Sequence, residues 1–119
     1  MSTLFDTATP NPAGHRDARP EQVFSERCAT RIVDVRDPDE FTGELGHVPC
    51  AELVPLRNIP SASTSWNRDE AIVLVCRSGS RSGQAAHALT ASGFRRVVNM
   101  VGGMLAWNEA RLPIKRASR

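Results

Sequence analysis

The run Ala71-Ile72-Val73-Leu74-Val75-Cys76-Arg77-Ser78-Gly79-Ser80-Arg81-Ser82 constrains this chain more than any other part of it. Five consecutive apolar residues are what a strand buried on both faces of a parallel sheet requires, and parallel strands need crossover connections, usually helices. The apolar run delivers a single cysteine into a short Arg/Ser/Gly loop. Beyond the loop, Ala85, Ala88 and Leu89 fall on one side of a helix that ends at Gly93, a suitable C-terminal cap. Strand, cysteine, loop and helix in that order place Cys76 at the carboxyl end of a strand, where α/β folds gather their sites.

The remaining sequence repeats the alternation. Pro20-Glu21-Gln22 opens a short helix with Val23 and Phe24 facing inward, with Pro favoured in a first turn. Residues 32–35 read as a strand, 37–41 as a helical turn, 51–54 as a second strand closed by Pro55, and 61–65 as part of a polar connection. Residues 96–100 form another strand, and Gly102-Gly103 turns into a last helix carrying Met104, Leu105 and Trp107, stopped by Pro113. The expected architecture is α/β, a central, mostly parallel sheet flanked by short helices. Residues 1–16, rich in Ser, Thr and Pro, read as a flexible leader, 17–114 as the folded domain, and 115–119 as a solvated basic tail.

Composition narrows the partners. At 119 residues and 40% hydrophobic content there is room for one domain with one core. A net charge of +2 from scattered basic residues does not make a nucleic-acid face, so no nucleic-acid partner is expected. No apolar run approaches the roughly 20 residues of a membrane span, so no membrane partner is expected, and the N-terminus lacks signal-peptide features. A cytoplasmic location follows, where Cys28, Cys50 and Cys76 stay reduced. Three cysteines cannot all pair, and none has zinc-ligand spacing, so neither a disulfide framework nor a metal is expected. With no Gly-Lys-Ser/Thr loop and no GxGxxG, no nucleotide or other cofactor is expected either.

The chemistry points to a thiolate. Successive backbone N–H groups curling from a strand end into a helix form a concave nest for an anion. Gly79 permits a positive φ or close backbone approach, Ser78, Ser80 and Ser82 are small enough not to fill the nest, and Ser82 also suits an N-cap. A cysteine thiol, with an ordinary pKa of about 8.5, ionises more readily in such a setting. Arg77 and Arg81 add attraction for an anionic donor. The plain alternative is that Cys76 is a buried small hydrophobe. Asp34 and Arg36 close the first strand and either face the site or brace one another. His47 reads as a hydrogen-bonded structural residue, Trp66 and Trp107 as packing residues, and His15, His47 and His87 offer no Ser/His/Asp set.

The loop resembles the active-site loop of the rhodanese-like sulfurtransferases, Cys-Arg-x-Gly-x-Arg-Ser. Three further segments resemble that family in the same order: Asp34-Val35-Arg36-Asp37-Pro38-Asp39-Glu40-Phe41, Gly46-His47-Val48-Pro49-x-Ala51, and Gly102-Gly103-x-x-Ala106-Trp107. Together the segments cover residues from about 17 to 114. The resemblance implies a three-layer rhodanese-like fold and a sulfurtransferase. It implies Cys76 as nucleophile and persulfide carrier, the backbone of residues 77–82 as cradle, and Arg77 and Arg81 as aids to a small anionic sulfur donor such as thiosulfate. The acceptor would be cyanide, a thiol or a protein. Ser78 stands where some thiosulfate-specialised relatives have lysine, which leaves the donor open. Cys50 stands where the family commonly has glycine and reads as a tolerated small residue rather than a second redox cysteine. Cys28, on the first helix, is likewise read as non-catalytic. Two alternatives remain: a non-catalytic regulatory domain of the same family, although such domains often lose the cysteine, and a cysteine phosphatase or arsenate reductase. The phosphatases have five residues between Cys and Arg, whereas four separate Cys76 from Arg81.

Overall fold

The computed structural model describes residues 4–27 and 29–117. Strands β1 (Thr9–Pro10), β2 (Arg16–Ala18), β3 (Arg31–Asp34), β4 (Glu52–Leu53), β5 (Ile72–Val75) and β6 (Val97–Met100) form one sheet in the order β1-β2-β6-β5-β3-β4. Among these six strands the β1–β2 pair is antiparallel and the other pairings are parallel. The helices are α1 (Leu4–Thr7), α2 (Pro20–Ser25), α3 (Pro38–Phe41), α4 (Ile59–Ala62), α5 (Ser80–Ala91) and α6 (Gly103–Glu109).

The two-residue period of β5 divides the core. Val73 and Val75 pack on one face with Val23 of α2 and with Met104 and Trp107 of α6. Ile72, Leu74 and Cys76 pack on the other, with Ala85, Ala86 and Leu89 of α5 and Ile59 of α4. An uninterrupted apolar strand is therefore sandwiched between helices, which makes three layers. Cys76 continues the α5-side row one residue past the strand end.

Three expectations change. The segment read as a flexible leader is built into the sheet: Thr9 and Pro10 pair with Asp17 and Arg16, Arg16 runs beside Val98, and Leu4 and Ala8 are buried. Its elements are two to four residues long, too short to show a period; β1 is fixed by pairing with β2, and β2 by pairing with β6. The Arg16 guanidinium donates to the Phe5 carbonyl at 2.8 Å and lies over the Phe5 ring at 4.2 Å. The basic tail is also tied down at its start, since Lys115 and His47 exchange backbone hydrogen bonds and Arg116 donates to the Glu44 carbonyl. The polar connection at 61–65 is helical, from Ile59 through the 3-10 turn Ser63–Ser65, anchored by buried Ile59 and Trp66. No helix among the described residues is long and apolar enough to cross a membrane.

Candidate active site

Cys76 leaves β5 beside the first turn of α6. Its carbonyl accepts the Met104 N–H at 2.9 Å, and the Arg77 carbonyl accepts the Leu105 N–H at 3.0 Å. This grip needs Gly103, whose φ is +56°; a Cβ there would run into the Cys76 carbonyl and the Arg77 backbone. The chain then turns at Gly79, with φ +102° in the left-handed region that glycine enters freely, and α5 starts at once. The loop is thus only residues 77–79. Ser82 is not the N-cap, a position Gly79 takes; it lies one turn into the helix, with its side chain pointing back at the sulfur.

The donors converge on one atom. The Gly79 N–H donates to Cys76 Sγ at 3.0 Å, and Ser82 Oγ lies 3.3 Å from it. Burial of Cys76 pushes its thiol up, but the Ser82 hydroxyl and the N–H groups of Ser82, Gly79 and Ser78 outweigh this and hold it below the ordinary value. Among the expected cradle residues, Ser78, Gly79 and Ser82 therefore act on the sulfur, while the side chains of Arg77, Ser78 and Ser80 are exposed at the rim.

The arginines part company. Arg81 points sideways and donates through Nη1 and Nη2 to Glu40 Oε2 and Oε1, both at 2.8 Å. This pairing holds the Glu40 carboxyl down to about 2 and raises Arg81 further above its usual value. Arg77 lines a groove of about 460 Å³ together with Leu45 and Leu105, Arg36, and the carboxylates Asp39, Glu40 and Glu44. Asp34 and Arg36 brace one another: Arg36 Nη2 donates to Asp34 Oδ2 at 2.8 Å and to the Gly46 carbonyl at 2.7 Å, with both side chains almost fully buried. That clasp ties the end of β3 to the Gly46-His47 segment. His47 is structural, its Nδ1–H donating to the Phe41 carbonyl at 2.7 Å and its ring stacked on Phe41.

The two described cysteines sit at opposite ends of the sheet, Cys50 ahead of β4 and Cys76 after β5, with β3 between those strands. Cys50 is exposed and holds φ at +79°. Cys28 lies outside the described residues.

Two site residues escaped the sequence reading. Glu40 is the last residue of a four-residue capping box in which it also accepts the Asp37 N–H at 3.1 Å. The pattern Asp37-Pro38-Asp39-Glu40 is the signal that could have placed it. Asn99 is the polar residue of the buried strand Val97-Val98-Asn99-Met100, and that anomaly was its signal.

Comparison with known proteins agrees with this geometry. The family described as Rhodanese-like domain matches residues 17–110. A sulfurtransferase of Allochromatium vinosum is 40% identical over 83 residues, covering 70% of this chain and 76% of that protein. The thiosulfate sulfurtransferase GlpE of Vibrio cholerae is 31% identical over 101 residues, covering 85% and 93%. The chain spans only 50% of an uncharacterised Synechocystis protein, with 36% identity over 92 residues that are 77% of this chain. A rhodanese-related protein of Thermoplasma volcanium superposes with a TM-score of 0.78 at 23% identity, covering 87% of this chain and all of that one, which speaks for the fold.

Proposed function

Because the chain belongs to the rhodanese-like domain family, we propose that it is a sulfurtransferase that takes sulfane sulfur from thiosulfate or a related donor onto Cys76 and passes it to a nucleophilic acceptor. The observation that carries the reading is the Gly79 N–H donated to Cys76 Sγ at 3.0 Å, with Ser82 Oγ within 3.3 Å of the same sulfur. Relatives named sulfurtransferase and thiosulfate sulfurtransferase support the class.

The Cys76 thiolate attacks the outer sulfur of thiosulfate, a sulfur–sulfur bond forms, and sulfite leaves with the electron pair of the bond that breaks. The product is a Cys76 persulfide whose negative charge rests on its outer sulfur, within reach of the N–H groups at the start of α5. An acceptor such as cyanide, a thiol or a protein nucleophile then attacks that outer sulfur and returns Cys76 as thiolate. Electrons balance without an added oxidant or reductant. Arg77, exposed at the rim, draws in the anionic donor, whereas Arg81 acts through Glu40 to hold α5 and α3 together around the loop. Ser78 and Ser80 leave the entrance open. The reaction is placed in the cytoplasm, where thiols remain reduced.

Purified protein given thiosulfate and cyanide should form thiocyanate. Cys76→Ala should abolish the product, while Cys50→Ala should retain most of it. Equal loss in Cys50→Ala with the fold intact would replace this reading with a two-cysteine relay.

A further inference from the structure

We propose that Asn99 is a positioning residue that governs ionisation of Cys76, by competing with Sγ for the single hydroxyl proton of Ser82. The proposal rests on the reading of Cys76 as the working nucleophile.

The geometry leaves little freedom. Asn99 is buried on β6, and its Nδ2 lies 3.2 Å from the Gly79 carbonyl, which can only accept a hydrogen bond. The amide is therefore oriented with Oδ1 toward Ser82, whose Oγ lies 2.6 Å away. An amide oxygen also only accepts, so the Ser82 hydroxyl donates to it. The same Oγ lies 3.3 Å from Cys76 Sγ. One hydroxyl proton cannot serve both acceptors at once.

With Cys76 as thiol, the chain runs from Sγ–H to Ser82 Oγ and from the Ser82 hydroxyl to Asn99 Oδ1. When the thiol loses its proton to solvent, the hydroxyl can turn to the thiolate only by abandoning Oδ1. Asn99 thus supports the thiol and opposes ionisation. In the persulfide, charge moves to the outer sulfur, Sγ becomes neutral, and the hydroxyl returns to Asn99. Asn99 gives Ser82 a resting acceptor in both states in which Sγ is uncharged, and through Gly79 it anchors the same loop.

The charged groups around Cys76 are Arg77 and Arg81 beside it, Glu40 behind Arg81, and the Asp34–Arg36 pair at the end of β3. β6 carries none, so an effect of Asn99 must pass through hydrogen bonding.

The test is the pH dependence of iodoacetamide alkylation, read at Cys76 by peptide mass in wild type, Asn99→Ala, Ser82→Ala and the double variant. Asn99→Ala should lower the midpoint by about one pH unit, the size expected when a hydrogen bond to a charged group is freed of its competitor. Ser82→Ala should raise the midpoint, and Asn99→Ala should then have almost no effect in the Ser82→Ala background. An equal shift in both backgrounds, no shift, or an upward shift would overturn the proposal. A second measurement needs no Asn99 variant: the Asn99 side-chain amide resonance should move with Cys76 ionisation in wild type and stay fixed in Ser82→Ala, and an immobile resonance in wild type would overturn it. Thiocyanate formation tests the sulfurtransferase reading separately, since alkylation requires no turnover.

Discussion

Arg81 and Glu40, 41 residues apart in sequence, meet in a two-pronged ion pair with both contacts at 2.8 Å. Because Arg81 lies in the first turn of the helix that carries Ser82, and Glu40 completes the capping box of the short helix after β3, the pair joins those two helices. Both terminal nitrogens of the Arg81 guanidinium are committed to that carboxylate.

Arg81→Ala and Glu40→Gln should therefore act as one unit. Each should lower kcat/KM for thiosulfate by about tenfold, and the double variant should be no worse than the poorer single one. Arg77→Ala should lower it independently and multiply with either. Steady-state kinetics on the three single and three double variants decides this; multiplicative losses for Arg81 and Glu40 would show that they work separately.

The same pair has a pH signature. Glu40 is held down to about 2, below its value in an unfolded chain, so its contribution to stability is fully present above about pH 4.5 and is lost as pH falls toward 2. The two side chains are 28% and 34% exposed, so solvent screening limits the contribution to about 1 kcal/mol. Urea unfolding at pH 6 and pH 2.5 should show Glu40→Gln losing about that much less stability than wild type on acidification. Equal losses would remove the pair from the acid response.

Cys50 holds φ at +79° without being glycine, a conformation that costs an L-residue about 1–2 kcal/mol. Cys50→Gly relieves that cost but enlarges the unfolded ensemble. The net expectation is a gain of about 0.5–1 kcal/mol in chemical denaturation, with thiocyanate formation unchanged. A loss of stability would mean that the side chain contributes more than its backbone costs.

Legibility in the sequence followed length and periodicity. β5 announced itself through five apolar residues, and Cys76 through its abrupt exit into Arg, Ser and Gly; both faces of that strand and its position under two helix layers followed from the same run. The strands of the N-terminal segment were hidden because Thr9–Pro10 and Arg16–Ala18 owe their form to pairing with each other and with β6, not to any local pattern. In the site, what was legible was the backbone nest; what was not was the direction of side chains. Ser82 looks like a cap because its chemistry suits one, yet Gly79 takes that place through its positive φ, which frees the hydroxyl for the sulfur and Asn99. Arg81 looks like an anion receptor until Glu40, from a separate element, claims it.

The central claim is that Cys76 carries sulfur, and the most direct test is the intact mass of the protein after incubation with thiosulfate. The mass should rise by about one sulfur atom in wild type and not in Cys76→Ala, and cyanide or a thiol should reverse it, because a persulfide yields to those reagents and a sulfinic acid does not. Absence of a cyanide-labile adduct, together with efficient hydrolysis of an aryl phosphate, would contradict the account and assign the loop to phosphate chemistry.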